Sequence, residues 1–294
     1  MVSLWTLVIS VLVLPSLLYA KSSTGNSVLV VLDPTLQKDK FSIFFNNLKG
    51  ALAMTVHSIH AHRPEEQGYD LTFRTTKDPK PLIKENDVPS FAHVILFAPE
   101  SRCTSVRSIR DLFLPLFSAY PSDITPQSLV DLLADNTNLL IALSSKQTPI
   151  ASLAPEFSLI LPPPSTPLIS HFPKRKTPPT VIPIPIPADS HYILSHTTSP
   201  VWFSGIPHAL ALNPFLVPIL RAPPESFAAD TTSDSGADAL VEAAEKGGEG
   251  LWAGSQLGVV TGFQARGGAR ATWVGGVDVF SDEFVKKEIS KYGF

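Results

Sequence analysis

Apolar residues in this chain fall in short blocks separated by polar turns. Val28 to Leu32 is a continuous apolar run that stops at Asp33-Pro34. A strand covered on both faces has this pattern, because neither of its faces meets water. Phe41, Phe44, Phe45 and Leu48 recur at helical spacing among Lys, Ser and Asn, which predicts an amphipathic helix. Tyr69 to Arg74 alternates and predicts a strand nearer a sheet edge, whereas His93 to Phe97 predicts another buried strand, halted by Ala98-Pro99. Thr125-Pro126 supplies an N-cap followed by proline at the first helical position, with Leu129, Leu132 and Leu133 below it. Leu139 to Leu143 is the next buried strand. Further on, Leu257 to Ala265 and Ala269 to Val274 predict two strands joined by the hairpin turn Arg266-Gly267-Gly268. Ser281-Asp282-Glu283 then opens a helix with a cap and first-turn acids, and Lys286 and Lys287 lie in its later part. The alternation predicts an α/β fold: an open, mostly parallel, doubly wound sheet with helices on both faces and right-handed crossovers.

Two segments interrupt this rhythm. Pro162 to Pro187 holds ten prolines, including the alternation Ile182-Pro183-Ile184-Pro185-Ile186-Pro187. Proline cannot donate to a sheet ladder, so the segment predicts an extended connection or edge strand; a stiff surface connection is favoured over a docking motif. Residues 230–250 are Ser, Gly, Ala and acidic residues, and predict a flexible insertion. The first twenty residues also stand apart. Val2 to Tyr19 is apolar and uncharged, ends in Leu18-Tyr19-Ala20 and is followed by Lys21, which predicts a cleaved secretory signal peptide over 1–20. An uncleaved anchor is the competing reading, since about 18 apolar residues can just span a bilayer.

Composition narrows the chemistry. Of 294 residues, 44% are hydrophobic and 17% charged, so the chain has enough apolar material for a sizeable core. A net charge of −3 without a long basic run argues against a nucleic-acid surface. The single cysteine, Cys103, excludes an intrachain disulfide and a multi-cysteine zinc site. Neither a G-x-S-x-G elbow nor a Gly-rich phosphate loop is present, and Gly267-Gly268 lies between strands rather than before a helix. Cys103, in Ser101-Arg102-Cys103-Thr104, has no strand-to-helix elbow to present it and reads as structural. His57, His60 and His62 form the only histidine cluster, with Glu65 or Glu66 as a further candidate ligand, but their spacing matches no recognised metal signature. Asp33 and Asp278 each follow a strand, at the edge where α/β sheets hold ligands, and each is equally suited to capping a loop. The sequence therefore assigns no catalytic, cofactor-binding or metal-binding residue, and no cofactor.

A family resemblance runs through Asp33, Gly68 to Leu71, His93 to Pro99, Ile124 to Leu133, Phe203 to Ile206, Asn213 to Ala222, Gly262 to Arg270 and Val277 to Phe284. In this order the segments resemble the oligosaccharyltransferase beta subunit family, the 48-kDa-type non-catalytic subunit. The resemblance implies a lumenal domain over 27–290, flavodoxin-like and related to the glutamine amidotransferase-like fold without its catalytic residues. It implies an endoplasmic-reticulum membrane complex that transfers a lipid-linked oligosaccharide to asparagine in protein N-glycosylation, with catalysis in a separate multi-spanning subunit as partner. This chain would support assembly and stability, associated with the membrane through the complex or a C-terminal helix; the family's C-terminal β region and single-pass helix are expected to be absent here. The rival classes are a lumenal hydrolase or amidotransferase-like enzyme, with Cys103 or Asp33 at its centre, and a glycan- or peptide-binding module. Two stretches, 51–67 and 101–117, have no counterpart in the family pattern; each is near 17 residues long, which suits a short retained intron. They are expected to be gene-model artefacts lying outside the sheet core.

Overall fold

The computed structural model describes residues 25–50, 68–97, 123–143, 149–163, 166–187, 199–228 and 252–287. Seven strands form the central sheet: β1 (Ser27–Leu32), β2 (Asp70–Thr75), β3 (His93–Phe97), β4 (Asn138–Ala142), β5 (Leu216–Arg221), β6 (Gly258–Gln264) and β7 (Arg270–Val274). Their spatial order is β2-β1-β3-β4-β7-β6-β5. β2, β1, β3, β4 and β7 pair in parallel, while β6 pairs antiparallel with both β7 and β5. The predicted α/β class with a mostly parallel sheet is what the chain adopts.

Alternation along β1 explains its continuous apolar run. Leu29 and Val31 enter one core cluster, and Val28, Val30 and Leu32 enter another on the opposite face. The second cluster is closed by helix α1 (Ser42–Leu48), whose Phe45 is buried together with Phe41 just before it. The first is closed by α2 (Pro126–Ala134), which buries Leu129, Leu132 and Leu133. Helix α2 begins as its sequence predicts. Thr125 Oγ1 accepts from the Ser128 amide, Ser128 Oγ accepts from the Thr125 amide, and Pro126 occupies the first turn. Such a cap contributes about 1 kcal/mol. At the other end, Ser281 caps α3 (Asp282–Lys286), accepting from the Phe284 amide at 3.3 Å.

Helices thus lie on both faces but are sparse among the described residues. Around β5 and β6 stand short antiparallel strand pairs: Ile182–Ile184 with Val201–Phe203, Leu159–Ile160 with Ala209–Leu210, and Leu168–Ile169 with Phe227–Ala228. The proline-rich segment contributes to this layer. Ile182 and Ile184 are buried in a third core cluster with Phe203, Leu220 and Val259, while Pro183 and Pro185 point away from it. The Ile-Pro alternation is therefore a two-residue strand period with isoleucine inward, and only part of the segment is surface connection.

Arg74, at the end of edge strand β2, is buried and its guanidinium is held by Asp123 at 2.8 and 3.2 Å and by the Pro81 carbonyl. Asp123 also accepts from the Ile83 amide at 3.2 Å, so one ion pair ties β2 to the turn ahead of α2. The flanks of the first interrupting stretch touch each other. The Tyr69 amide donates to Leu48 O at 2.9 Å, and a Cβ placed on Gly68 would fall 2.3 Å from the Lys49 carbonyl. Both interrupting stretches and residues 230–250 lie outside the described residues.

Candidate functional site

In a doubly wound sheet ligands bind beyond the carboxyl ends of the strands, where the winding reverses. Here the chain crosses from β2 back past β1 to β3, so that point lies between β1 and β3. Asp33 stands there, immediately after β1, and is buried. Its Oδ1 accepts from the Thr35 amide at 2.8 Å and from Thr35 Oγ1 at 2.7 Å. This is a carboxylate capping its own turn, the arrangement that suits Asp in loops. Its backbone amide is also used, donating to Phe97 O at 2.7 Å.

Beside Asp33 the end of β3 is covered by rings. Phe97 packs with Phe41 at 5.2 Å and lies under Phe280 at 5.1 Å, nearly parallel; Phe44 meets Phe280 at 4.7 Å. Phe280 belongs to the 3-10 turn Val277–Phe280 that follows β7, so the late part of the chain roofs an early strand. The roof is fixed by Asp282, whose carboxylate accepts from Ser42 Oγ and from the Ile43 amide, the latter at 2.9 Å. Those bonds, Ser42's hydroxyl first, hold the Asp282 carboxyl below its ordinary range.

Further along the same edge, backbone meets backbone. A Cβ on Gly276 would lie 1.8 Å from Ser204 O, and one on Gly275 would lie 1.9 Å from Ile206 O. Only glycine allows this approach. The contact is sealed by the Ile206 amide donating to Gly275 O, the Leu143 amide to Val274 O and the Val277 amide to Leu143 O, each at 2.9 Å. Asp278 sits just beyond, exposed by surface area yet flanked closely enough for its carboxyl to be raised, first by desolvation and then by Glu283, against an opposing pull from Lys40. No hydrogen bond or ion pair among the described residues joins Asp33 to Asp278. The two candidate acids are not brought together as an acid/base pair.

Three cavities between described residues lie elsewhere. One of about 580 Å³ opens at the amino edge of the sheet between Ala92, Thr137 and Gly267, and one of about 450 Å³ runs beside β5 between Leu212, Pro214 and Pro218. A third, of about 170 Å³, lies against the sheet face between Leu48, Tyr69, His93 and Leu140. His93 Nε2 donates to Gly25 O at 3.0 Å and its Nδ1 accepts from Asn138 Nδ2 at 3.2 Å, an assignment fixed by the partners. Burial lowers its pKa, and the bond to Gly25 opposes that shift.

Sequence reading missed His208. It is buried, bridges Gly258 through both backbone bonds, and meets Thr261 Oγ1 through Nε2 at 2.6 Å. Burial alone pushes its pKa down to about 4. Nothing in the local pattern Gly205-Ile206-Pro207-His208 marks it, because its surroundings come from β6, some fifty residues away in sequence. Among the described residues, no group of three or more His, Cys, Asp or Glu is placed to hold a metal ion. Cys103, His57, His60, His62, Glu65 and Glu66 lie outside the described residues.

Family comparison completes the geometry. Residues 19–293 match the family described as OST48, N-terminal domain. The chain belongs to that family. Its relatives include the 48 kDa subunit of dolichyl-diphosphooligosaccharide–protein glycosyltransferase from Arabidopsis thaliana, 26% identical over 306 residues, covering 97% of this chain and 58% of the relative. Another is the subunit wbp1 of the same enzyme from Schizosaccharomyces pombe, 25% identical over 228 residues, covering 76% of this chain and 46% of the relative. This OST48 N-terminal domain chain therefore spans about half the length of the curated relatives it matches. A solved structure, the mmIFT52 N-terminal domain, superposes with a TM-score of 0.50 at 11% identity, covering 89% of this chain and 91% of that one, and shows likeness of fold alone.

Proposed function

We propose that this chain is a non-catalytic subunit of the oligosaccharyltransferase complex, supporting the assembly and stability of the machinery that transfers a lipid-linked oligosaccharide to asparagine. The observation that carries this reading is the family match over 19–293. The carboxyl edge is consistent with it: Asp33 caps its own turn, and among the described residues no hydrogen bond or ion pair joins it to Asp278. In this reading the chain contributes no catalytic, cofactor or metal residue, and transfer belongs to a multi-spanning partner subunit. Placement on the lumenal side of the endoplasmic reticulum, membrane attachment through the complex or a family C-terminal helix, and a flavodoxin-like winding belong to the same proposal. The β2-β1-β3-β4 order supports the last of these.

A subunit needs surface for its neighbours, and exposed apolar side chains around β5 fit that need. Ile160, Leu212, Phe215 and Val217 are exposed along β5 and the strand pair beside it, with Leu212 fully in solvent. Clustered exposed apolar side chains mark interaction surfaces more often than isolated ones do. Purification of the tagged chain from microsomes tests the proposal. The other oligosaccharyltransferase subunits are expected to copurify, and F215D/V217D is expected to lose them while remaining folded. A folded wild-type chain that copurifies with none of them contradicts it.

A further inference from the structure

Between Glu156 and Asp189 the chain has no acidic residue, and Lys174, Arg175 and Lys176 are its only cationic Lys or Arg side chains. In a chain of net charge −3 this is a local excess of three positive charges. The triplet lies in a loop anchored at both ends, by the pairing of Leu168–Ile169 with Phe227–Ala228 and of Ile182–Ile184 with Val201–Phe203.

The loop is stiff, and Arg175 is its bolt. Arg175 Nη1 donates to Phe172 O at 2.9 Å and Pro173 O at 3.3 Å, and Nη2 donates to Ser170 O at 2.7 Å. Ser170, fully buried, donates through Oγ to Phe172 O at 2.7 Å, and its amide donates to Pro179 O at 3.0 Å. With the guanidinium bonded inside the loop, the outward features are the amines of Lys174 and Lys176, the Phe172 ring and the imidazole of His171, which packs against Phe227. Lys174 and Lys176 are exposed and form no hydrogen bond or ion pair among the described residues, and Phe172 is 67% exposed beside them. None of the loop's residues lines any of the three cavities.

We propose that the 170–179 loop is a contact surface for a bilayer carrying anionic phospholipid, with Phe172 entering the headgroup layer and Lys174 and Lys176 lying over the phosphates. A ring flanked by cations is the pattern of interfacial attachment, in which apolar insertion and attraction to anionic lipid add. An acidic peptide would be gripped better by a groove, whereas these side chains are exposed and line none of the three cavities, and a bilayer requires no matching socket. Because the loop is already ordered by Arg175 and Ser170, docking costs little conformational entropy. This surface is independent of the assembly reading above.

Co-sedimentation of the full chain with vesicles tests it, comparing phosphatidylcholine alone with phosphatidylcholine containing one-third phosphatidylserine. Residues 2–19 are uncharged, and the cations that flank them, the Met1 amine and Lys21, are unchanged in K174Q/K176Q, so the variant isolates the loop's share. Tighter binding to the anionic vesicles is expected, and raising the salt should remove the difference. K174Q/K176Q should weaken binding to anionic vesicles about 25-fold, roughly five-fold per lysine, and leave neutral vesicles unchanged. F172S should weaken binding to both types. Equal binding to the two vesicle types, or anionic binding untouched by K174Q/K176Q, overturns the proposal. So does a chain that ignores vesicles but binds polyglutamate in a manner sensitive to K174Q/K176Q, which assigns the loop to an acidic protein partner. The salt dependence of the unaltered chain keeps the test decisive even if a variant misfolds.

Discussion

His208 makes a quantitative prediction about acid stability. In the folded chain burial holds its pKa at about 4, and no charged partner opposes the shift. In the unfolded chain it titrates near the ordinary value of about 6.5. Above that value both states are neutral at this position, and below about 4 both are protonated. Between the two, the unfolded chain binds a proton that the folded chain refuses, so falling pH favours unfolding. Protonation linkage at about 1.4 kcal/mol per pKa unit gives a loss of about 2 kcal/mol at about pH 5 and about 3 kcal/mol once titration is complete. H208Q isolates the effect: glutamine can still reach Thr261 Oγ1 with a polar atom but does not titrate. Urea unfolding across this range, on wild type and H208Q, is the assay. The variant should start somewhat less stable at neutral pH and then lose about 2–3 kcal/mol less than wild type on acidification. Parallel pH profiles for the two proteins would refute the argument, and with it the closed packing of His208 against Gly258 and Thr261.

Three further outcomes follow from the fold. D123A should cost about 3–5 kcal/mol in urea unfolding, because it leaves the buried Arg74 guanidinium without its counter-charge, while D123N should cost less. G276A should lower the melting temperature far more than G268A: the first drives a methyl into Ser204 O, whereas the second meets nothing within 4 Å and pays only for a positive φ of 97°. Deleting residues 51–67 to join Gly50 directly to Gly68 should preserve the fold and stabilise it by about 2 kcal/mol of loop-closure entropy, read by urea unfolding; an unfolded product would show that the stretch is needed.

Much of the first half was legible because its signals are local. The β1 run, the spacing of Phe41 and Phe45, and the Thr125-Pro126 cap all act within a few residues, and each element formed where its pattern placed it. The β6–β7 hairpin was legible for the same reason, with Gly268 supplying the positive φ that its turn requires. Strand β5 was not. Pro218 in its middle argues against a strand, and it is tolerated because β5 is an edge whose ladder runs on one side only. The roofing of β3 by Phe280, the bolt from Asp282 to Ser42 and the Gly275-Gly276 contact with Ser204 to Ile206 join distant parts of the chain, and no window of sequence contains them. Asp33 marks the boundary between the two cases: its place after β1 was legible, but the bonds by which it caps its own turn through Thr35 are visible only in the fold.

Glycan occupancy in cells depleted of this protein tests the central proposal most directly. Depletion should leave secreted proteins underglycosylated, and re-expression of D33N or C103A should restore transfer to within a few-fold of wild type once the complex has assembled. Normal occupancy after depletion would contradict the account. So would a loss of about 10²-fold or more in a variant that still assembles, the size expected when a general base is removed, because that would place the chemistry in this chain.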